Sequence, residues 1–385
     1  GTADGAAASY VATSSHPDLV RVVDGARPRG AGGTPMIVEL TEVFDPAAPN
    51  PPVVRIAVTD RTGAEPDSHE VVVTLPSSVG EAALVRLAGA GREETAVAVS
   101  QQGYPEDGSS PVVVLARRDA FADSLAGAPL AAQLDGPLLL TGSDGLHPST
   151  SAEIARVLQP GGRIVLLGGE AALSAAVVDD IRATPWGAGA NVERLAGPSR
   201  FETAVAIAQR LPVIESVFLT RGDDFPDALA AGPAAVSRDG AILLTSGDQP
   251  HPATADFLAT RGLGLVQYAI GGQAAAAYPE AEPIVGGGRE QTAVRVAQRF
   301  FGDVPLAISV ARADDFADAL AGGAHAGSIL APLLLTPTDR TSGEVLAYVE
   351  DAGDSIVAGA VYGGTVAVTD GVVAELAGAA GLPTG

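Results

Sequence analysis

The chain has 385 residues and a formal net charge of −23, from 46 acidic side chains against 23 basic ones, all of them arginine. A field of that sign repels nucleic acid and anionic membrane, and without lysine or cysteine there is no Schiff-base chemistry, P-loop lysine, thiolate nucleophile, disulfide or sulfur-ligated metal. A hydrophobic fraction of 46% with 18% charged residues describes a folded chain long enough for two to four domains. No apolar run approaches the roughly 18 residues a membrane helix needs, so membrane insertion is not expected. Aromatics, at 4%, are scarce, so the cores must be built from Ala, Val, Leu and Ile in tight layers.

Residues 1–82 read as a β-rich, sandwich-like domain. "TPMIVELTEVFDP", "PPVVRIAVTD" and "SHEVVVTLP" are β-like runs separated by Pro, Gly and Asp-rich turns, enough for about five strands. Such a small sheet has edges that would pack on the rest of the chain or accept a neighbour's strand. The start at Gly1 instead of Met fits a removed signal peptide or a trimmed chain.

From residue 83 on, the sequence repeats itself three times. "RLAGAGREETAVAVS", "RLAGPSRFETAVAIA" and "IVGGGREQTAVRVA" open the three units, expected at 83–192, 193–283 and 284–385. Each is followed by an acidic loop running into a small-residue helix: "RRDAFADSLAGAPLA", "RGDDFPDALAAGPAA" and "RADDFADALAGGAHA". An apolar strand ending in Thr141, Thr245 or Thr336 comes next, then a strand ending in a glycine pair that starts at Gly168, Gly271 or Gly363. Asp123, Asp227 and Asp318 each stand 18 residues ahead of their threonine, and threonine to glycine is 27, 26 and 27 residues, so coincidence is ruled out. Continuous apolar runs alternating with helical phrases predict parallel sheets buried on both faces, a three-layer α/β fold.

In such a fold the repeated phrases fall at the carboxyl ends of strands, where ligand sites gather and where turns must also be built. Asp123, Asp227 and Asp318 are expected to cap the following helix. Asp223, Asp224 and Asp227, or Asp314, Asp315 and Asp318, could instead offer oxygens to Ca²⁺, though the first unit supplies only Asp119 and Asp123. Arg92, Arg200 and Arg289 open an R-x-x-T phrase with Thr95, Thr203 and Thr292. An arginine at a helix start is poorly placed for the dipole, so a partner is expected, either an acid of the same unit or an anionic ligand. The glycine pairs do not complete a dinucleotide-binding phrase. Of the five histidines only His147 and His251 sit at equivalent places, no catalytic arrangement is legible, and no cofactor is expected.

Four phrases in this order and spacing resemble the type 2 cell-wall-binding repeat of Gram-positive bacterial surface proteins, over about four fifths of the chain. The resemblance implies a secreted protein with three flavodoxin- or Toprim-like units in a pseudo-threefold arrangement, and with no catalytic arrangement legible in the sequence the chain is expected to be non-catalytic. The resemblance further implies noncovalent attachment to the wall through an anionic secondary polymer. Carried over residue by residue, the polymer contacts would be Thr141, Thr245 and Thr336 with Arg92, Arg200 and Arg289. The sequence departs from the pattern at "DSL" in the first copy, at "AILLT" in the second and in a shortened stretch around the first strand of the third. The net charge opposes an anionic ligand, which keeps a second reading open: a self-assembling subunit of a surface layer or filament, a homo-oligomer whose N-terminal strands complete a neighbour's sheet.

Overall fold

The computed structural model describes residues 83–383, apart from 122, 262 and 263, together with the backbone of five strands between residues 10 and 74. The chain divides into two compact units, residues 1–81 and 82–385. In the first, β1 (Tyr10–Ser14), β4 (Val53–Asp60) and β5 (Asp67–Thr74) form an antiparallel sheet, and β2 (Val20–Val22) pairs with β3 (Val38–Leu40). The expected strands are present. The sandwich packing and edge contacts expected of this segment lie outside the described residues.

The second unit holds three four-stranded parallel sheets. The first is made of β7 (Ser110–Arg117), β8 (Leu138–Thr141), β9 (Leu158–Leu167) and β10 (Asn191–Leu195) in the order β8-β7-β9-β10. The second repeats it with β11 (Ser216–Arg221), β12 (Gly240–Thr245), β13 (Val266–Ile270) and β14 (Glu282–Ile284). The third uses β15 (Ala307–Arg312), β16 (Leu333–Thr336) and β17 (Ala358–Tyr362), and its fourth strand is β6 (Leu84–Leu87), from the start of the unit. "VVVLA", "AILLT" and "PLLLT" are buried along their length because helices cover both faces.

The fourth strands cross between repeats. The "RLAG" phrase that opens the second repeat pairs with the sheet of the first, β14 serves the second sheet from the third repeat, and β6 returns to the third sheet in register from Leu84 opposite Gly359 to Leu87 opposite Tyr362. Each repeat lends a strand to the one before it, and the first lends to the last. The three units therefore close into a ring.

At the centre of the ring stand the small-residue helices α2 (Gly127–Gln133), α6 (Pro226–Ser237) and α10 (Ala317–Ser328). Their Ala and Gly content is a packing requirement. A Cβ added at Gly232 or at Gly323 would lie 3.5 Å from the Ala128 methyl, so equivalent positions of the three repeats meet on one axis. On α10 the neighbouring Gly322 is tighter, since its Cβ would come within 2.3 Å of the Tyr362 ring. Just beyond the helix starts Phe121, Phe225 and Phe316, one per repeat, close into an aromatic triangle with centroids 5.5, 5.6 and 5.8 Å apart in tilted or edge-on geometry.

Candidate functional site

The seams between repeats gather the repeated polar residues. The helices α1 (Arg92–Gly103), α5 (Arg200–Arg210) and α9 (Arg289–Phe301) begin with the arginine of R-x-x-T. Each arginine reaches back into its own repeat and donates to a backbone carbonyl just past the first strand: Arg92 to Arg118 at 3.0 Å, Arg200 to Gly222 at 2.6 Å and Arg289 to Ala313 at 2.7 Å. Each also covers an aromatic ring of the preceding repeat. Arg92 lies 5.3 Å from the Phe316 centroid, Arg200 5.6 Å from that of Phe121 and Arg289 5.9 Å from that of Phe225. The sequence offers these arginines an acid of the same unit or an anionic ligand as partner. The structure supplies an acid from the unit before: Asp315 for Arg92 at 3.0 Å and Asp224 for Arg289 at 3.9 Å.

Asp123, Asp227 and Asp318 do not cap helices. The residues ahead of α2, α6 and α10 are Ala126, Phe225 and Phe316, and none carries a side-chain cap, while Asp224 and Asp315 accept the backbone N–H of Phe225 and Phe316 at 3.0 and 2.7 Å. Asp227 and Asp318 fall inside the first helical turn, near the positive end of the dipole, and Asp123 lies ahead of it. All three press against the glycines at the switch points of the sheets. A Cβ at Gly168, Gly271 or Gly363 would come within 2.9, 2.1 and 2.5 Å of the Asp123, Asp227 and Asp318 side chains, and the φ angles there are +98°, +86° and +103°. Glycine is needed on both counts. Burial pushes the Asp227 carboxyl up to about 6, against the nearby Arg221, and likewise raises Asp318, against a hydrogen bond from Thr95 of the next repeat in the ring.

Thr141, Thr245 and Thr336 are fully buried, with no accessible surface to offer a polymer. Their hydroxyls donate to the carbonyls of Gly145, Gly247 and Arg340 and fold the loop after the strand. Thr95, Thr203 and Thr292 are likewise buried, and each accepts the N–H of a glycine six residues upstream, at 3.2, 3.1 and 3.2 Å. These threonines recur because the turns need them. The sequence reading passed over Arg117, Arg221 and Arg312, although the R-x-D spacing stands in all three acidic loops. They bind Asp119, Asp223 and Asp314 at 2.7, 2.9 and 2.7 Å, and each bond holds its carboxyl below the ordinary range. Of the acids that could offer oxygens to Ca²⁺, Asp119, Asp223, Asp224, Asp314 and Asp315 thus already pair with guanidiniums. Among the described residues no three acids or histidines gather as metal ligands.

Two clefts open on this edge. One of about 310 Å³ lies at the seam of the second and third repeats, between Arg221, Asp224 and Asp227 on one side and Gly286, Gly287 and Arg289 on the other. A second, of about 480 Å³, continues from Arg289 across the strand ends of the third repeat to Thr338, Asp339 and Arg340. Both sit where a doubly wound sheet places ligands. The family model described as cell wall binding domain 2 matches residues 86–178, 194–278 and 284–373. The chain belongs to that family.

Its three repeats are therefore cell-wall-binding repeats, and the protein is associated with the wall or cell surface. Among curated relatives it is similar to the N-acetylmuramoyl-L-alanine amidase LytC of Bacillus subtilis (strain 168), 24% identical over 278 residues that make up 71% of this chain and 54% of that one. It is also similar to the amidase enhancer of the same organism, 34% identical over 164 residues, or 43% of this chain and 22% of that one. The chain thus spans about half the length of the first relative and under a quarter of the second. Solved structures of Cwp6 and Cwp8 from Clostridium difficile share the fold. Their TM-scores are 0.72 and 0.70 at 23% and 24% identity, covering 91% and 88% of this chain and 60% and 61% of theirs.

Proposed function

We propose that the chain is a non-catalytic, extracellular wall anchor that holds an anionic secondary wall polymer along the carboxyl edges of its three sheets. The observation that carries this reading is the arginine at every seam, Arg92, Arg200 and Arg289, which comes to the strand ends together with Arg117, Arg221 or Arg312 of the preceding repeat. A chain with a net charge of −23 repels anions at long range, but salt screens that field within about 10 Å, and contact then depends on local guanidiniums. The clefts shared by Arg289 suit an extended ligand. Amidase activity belongs to the relative named for it and is not carried to this chain.

Co-sedimentation of the full chain with isolated Gram-positive walls, with and without their secondary polymer, tests the reading. Pelleting with unstripped walls alone is expected, with no release of peptide from peptidoglycan. Pelleting without any wall would instead make the chain a self-assembling subunit.

A further inference from the structure

We propose that the three seams are unequal and that the first, between repeats one and two, takes an anionic group from outside the chain most readily. The other two seams display the anion that fits. At the second, one oxygen of Asp224 lies 3.7 Å from Arg221 and 3.9 Å from Arg289, a carboxylate between the guanidiniums of two repeats. At the third, the corresponding oxygen of Asp315 lies 3.9 Å from Arg312 and 3.0 Å from Arg92. The first seam has the same two arginines, Arg117 and Arg200, but Ala120 stands in the position of the bridging acid.

The consequences are visible in both guanidiniums. Among the described residues no carboxylate lies within 4 Å of Arg200, whose polar contact is the Gly222 carbonyl and whose flat face covers Phe121. Arg117 keeps Asp119 on its Nε, and its Nη1 lies 3.4 Å from the Ala171 carbonyl instead of an acid. The acidic loop at the first seam thus carries two of the repeated carboxylates, Asp119 and Asp123, against three in the loop at each of the others, while Asp223 of the second repeat acts on Arg200 through its field only. An incoming phosphate or carboxylate at the first seam meets no carboxylate held between the two arginines, Arg117 keeping Asp119 on its Nε alone, whereas at the second or third it must compete with the bridging Asp224 or Asp315. The inference rests on the wall-polymer reading for its biological ligand, and on the geometry alone for the preference of the first seam.

The test titrates the whole 385-residue chain, labelled with ¹⁵N-arginine, with inorganic phosphate in one arm and acetate in the other, following the Nε–H resonances. The Arg200 signal is expected to move at the lowest concentration, and the more effective arm identifies the group as phosphate or carboxylate. Ala120→Asp, which installs the acid that the other seams already carry, should weaken that response on the order of tenfold. Asp224→Ala should bring the Arg289 signal into the range of Arg200. An Arg200 response unchanged in Ala120→Asp, or equal responses from Arg92, Arg200 and Arg289 in the wild type, would overturn the inference. Wall co-sedimentation of the same proteins separates the two ideas. If the wild type ignores unstripped walls while the phosphate response stays sensitive to Ala120→Asp, the anion site stands and the wall-polymer reading falls.

Discussion

The axis of the ring and its rim are built from the same three repeats, yet they treat symmetry differently. On the axis the copies are interchangeable: Ala128, Gly232 and Gly323 meet at one crossing, and Phe121, Phe225 and Phe316 at another. At the rim they diverge, with Ala120 against Asp224 and Asp315, and Pro283 where Arg86 and Arg194 donate to the carbonyls of Gly363 and Gly168. A close-packed crossing leaves each copy room for little more than a methyl group. Solvent-facing loops leave more, and ligand preference can vary there without loss of the fold.

The largest test of this contrast is a pair of adjacent glycines. Gly322→Ala drives a methyl into the Tyr362 ring and should cost about 3 kcal/mol. Gly323→Ala meets only ordinary contact with Ala128 and should be neutral or gain several tenths of a kcal/mol from helix propensity. Thermal unfolding of the two variants side by side checks both. Equal effects would mean that the axis is looser than the packing shows.

Next comes the buried acid at the second seam. The Asp227 carboxyl is raised to about 6 from 3.8, so its favourable contribution is complete below 3.8 and is lost as pH rises through 6. Asp227→Asn should therefore unfold at the same denaturant concentration as the wild type near pH 4. At pH 7.5 it should be more stable by about 2 kcal/mol. Phe225→Ala removes two ring contacts and the face under Arg289, and should cost about 1.5 kcal/mol by denaturant titration. The smallest effect belongs to the rim. Arg312→Gln breaks an exposed ion pair with Asp314 and should shift stability by no more than about 0.5 kcal/mol.

The sheets, the three units and the strand-end location of the repeated phrases were legible because buried parallel strands and their helices leave an apolar pattern in the sequence. The strand exchange was not. "RLAG" announces its repeat in the sequence, while the sheet it joins is fixed by the ring as a whole. Asp227 reads as a cap from its position before "ALAAG", yet the helix starts one residue ahead of it and its carboxyl is spent against Gly271. Thr141, Thr245 and Thr336 were ligand contacts only as carried over from the family resemblance, and a motif position alone does not separate a residue that serves a turn from one that serves a partner. The bridging role of Asp224 and Asp315 needed coordinates, since the two arginines of each bridge are far apart in sequence.

The return of β6 to the third sheet has a mechanical side. Tension on the backbone ahead of Ala83 enters the repeats along β6, which runs parallel to β17 over four paired residues and fixes Gly363 through the Leu87 carbonyl. Tension along the strand loads the hydrogen bonds to β17 together, in shear, instead of peeling them one by one. A pull on the N-terminal side is thus borne first by the closure of the ring, at the last repeat, before it reaches the first sheet.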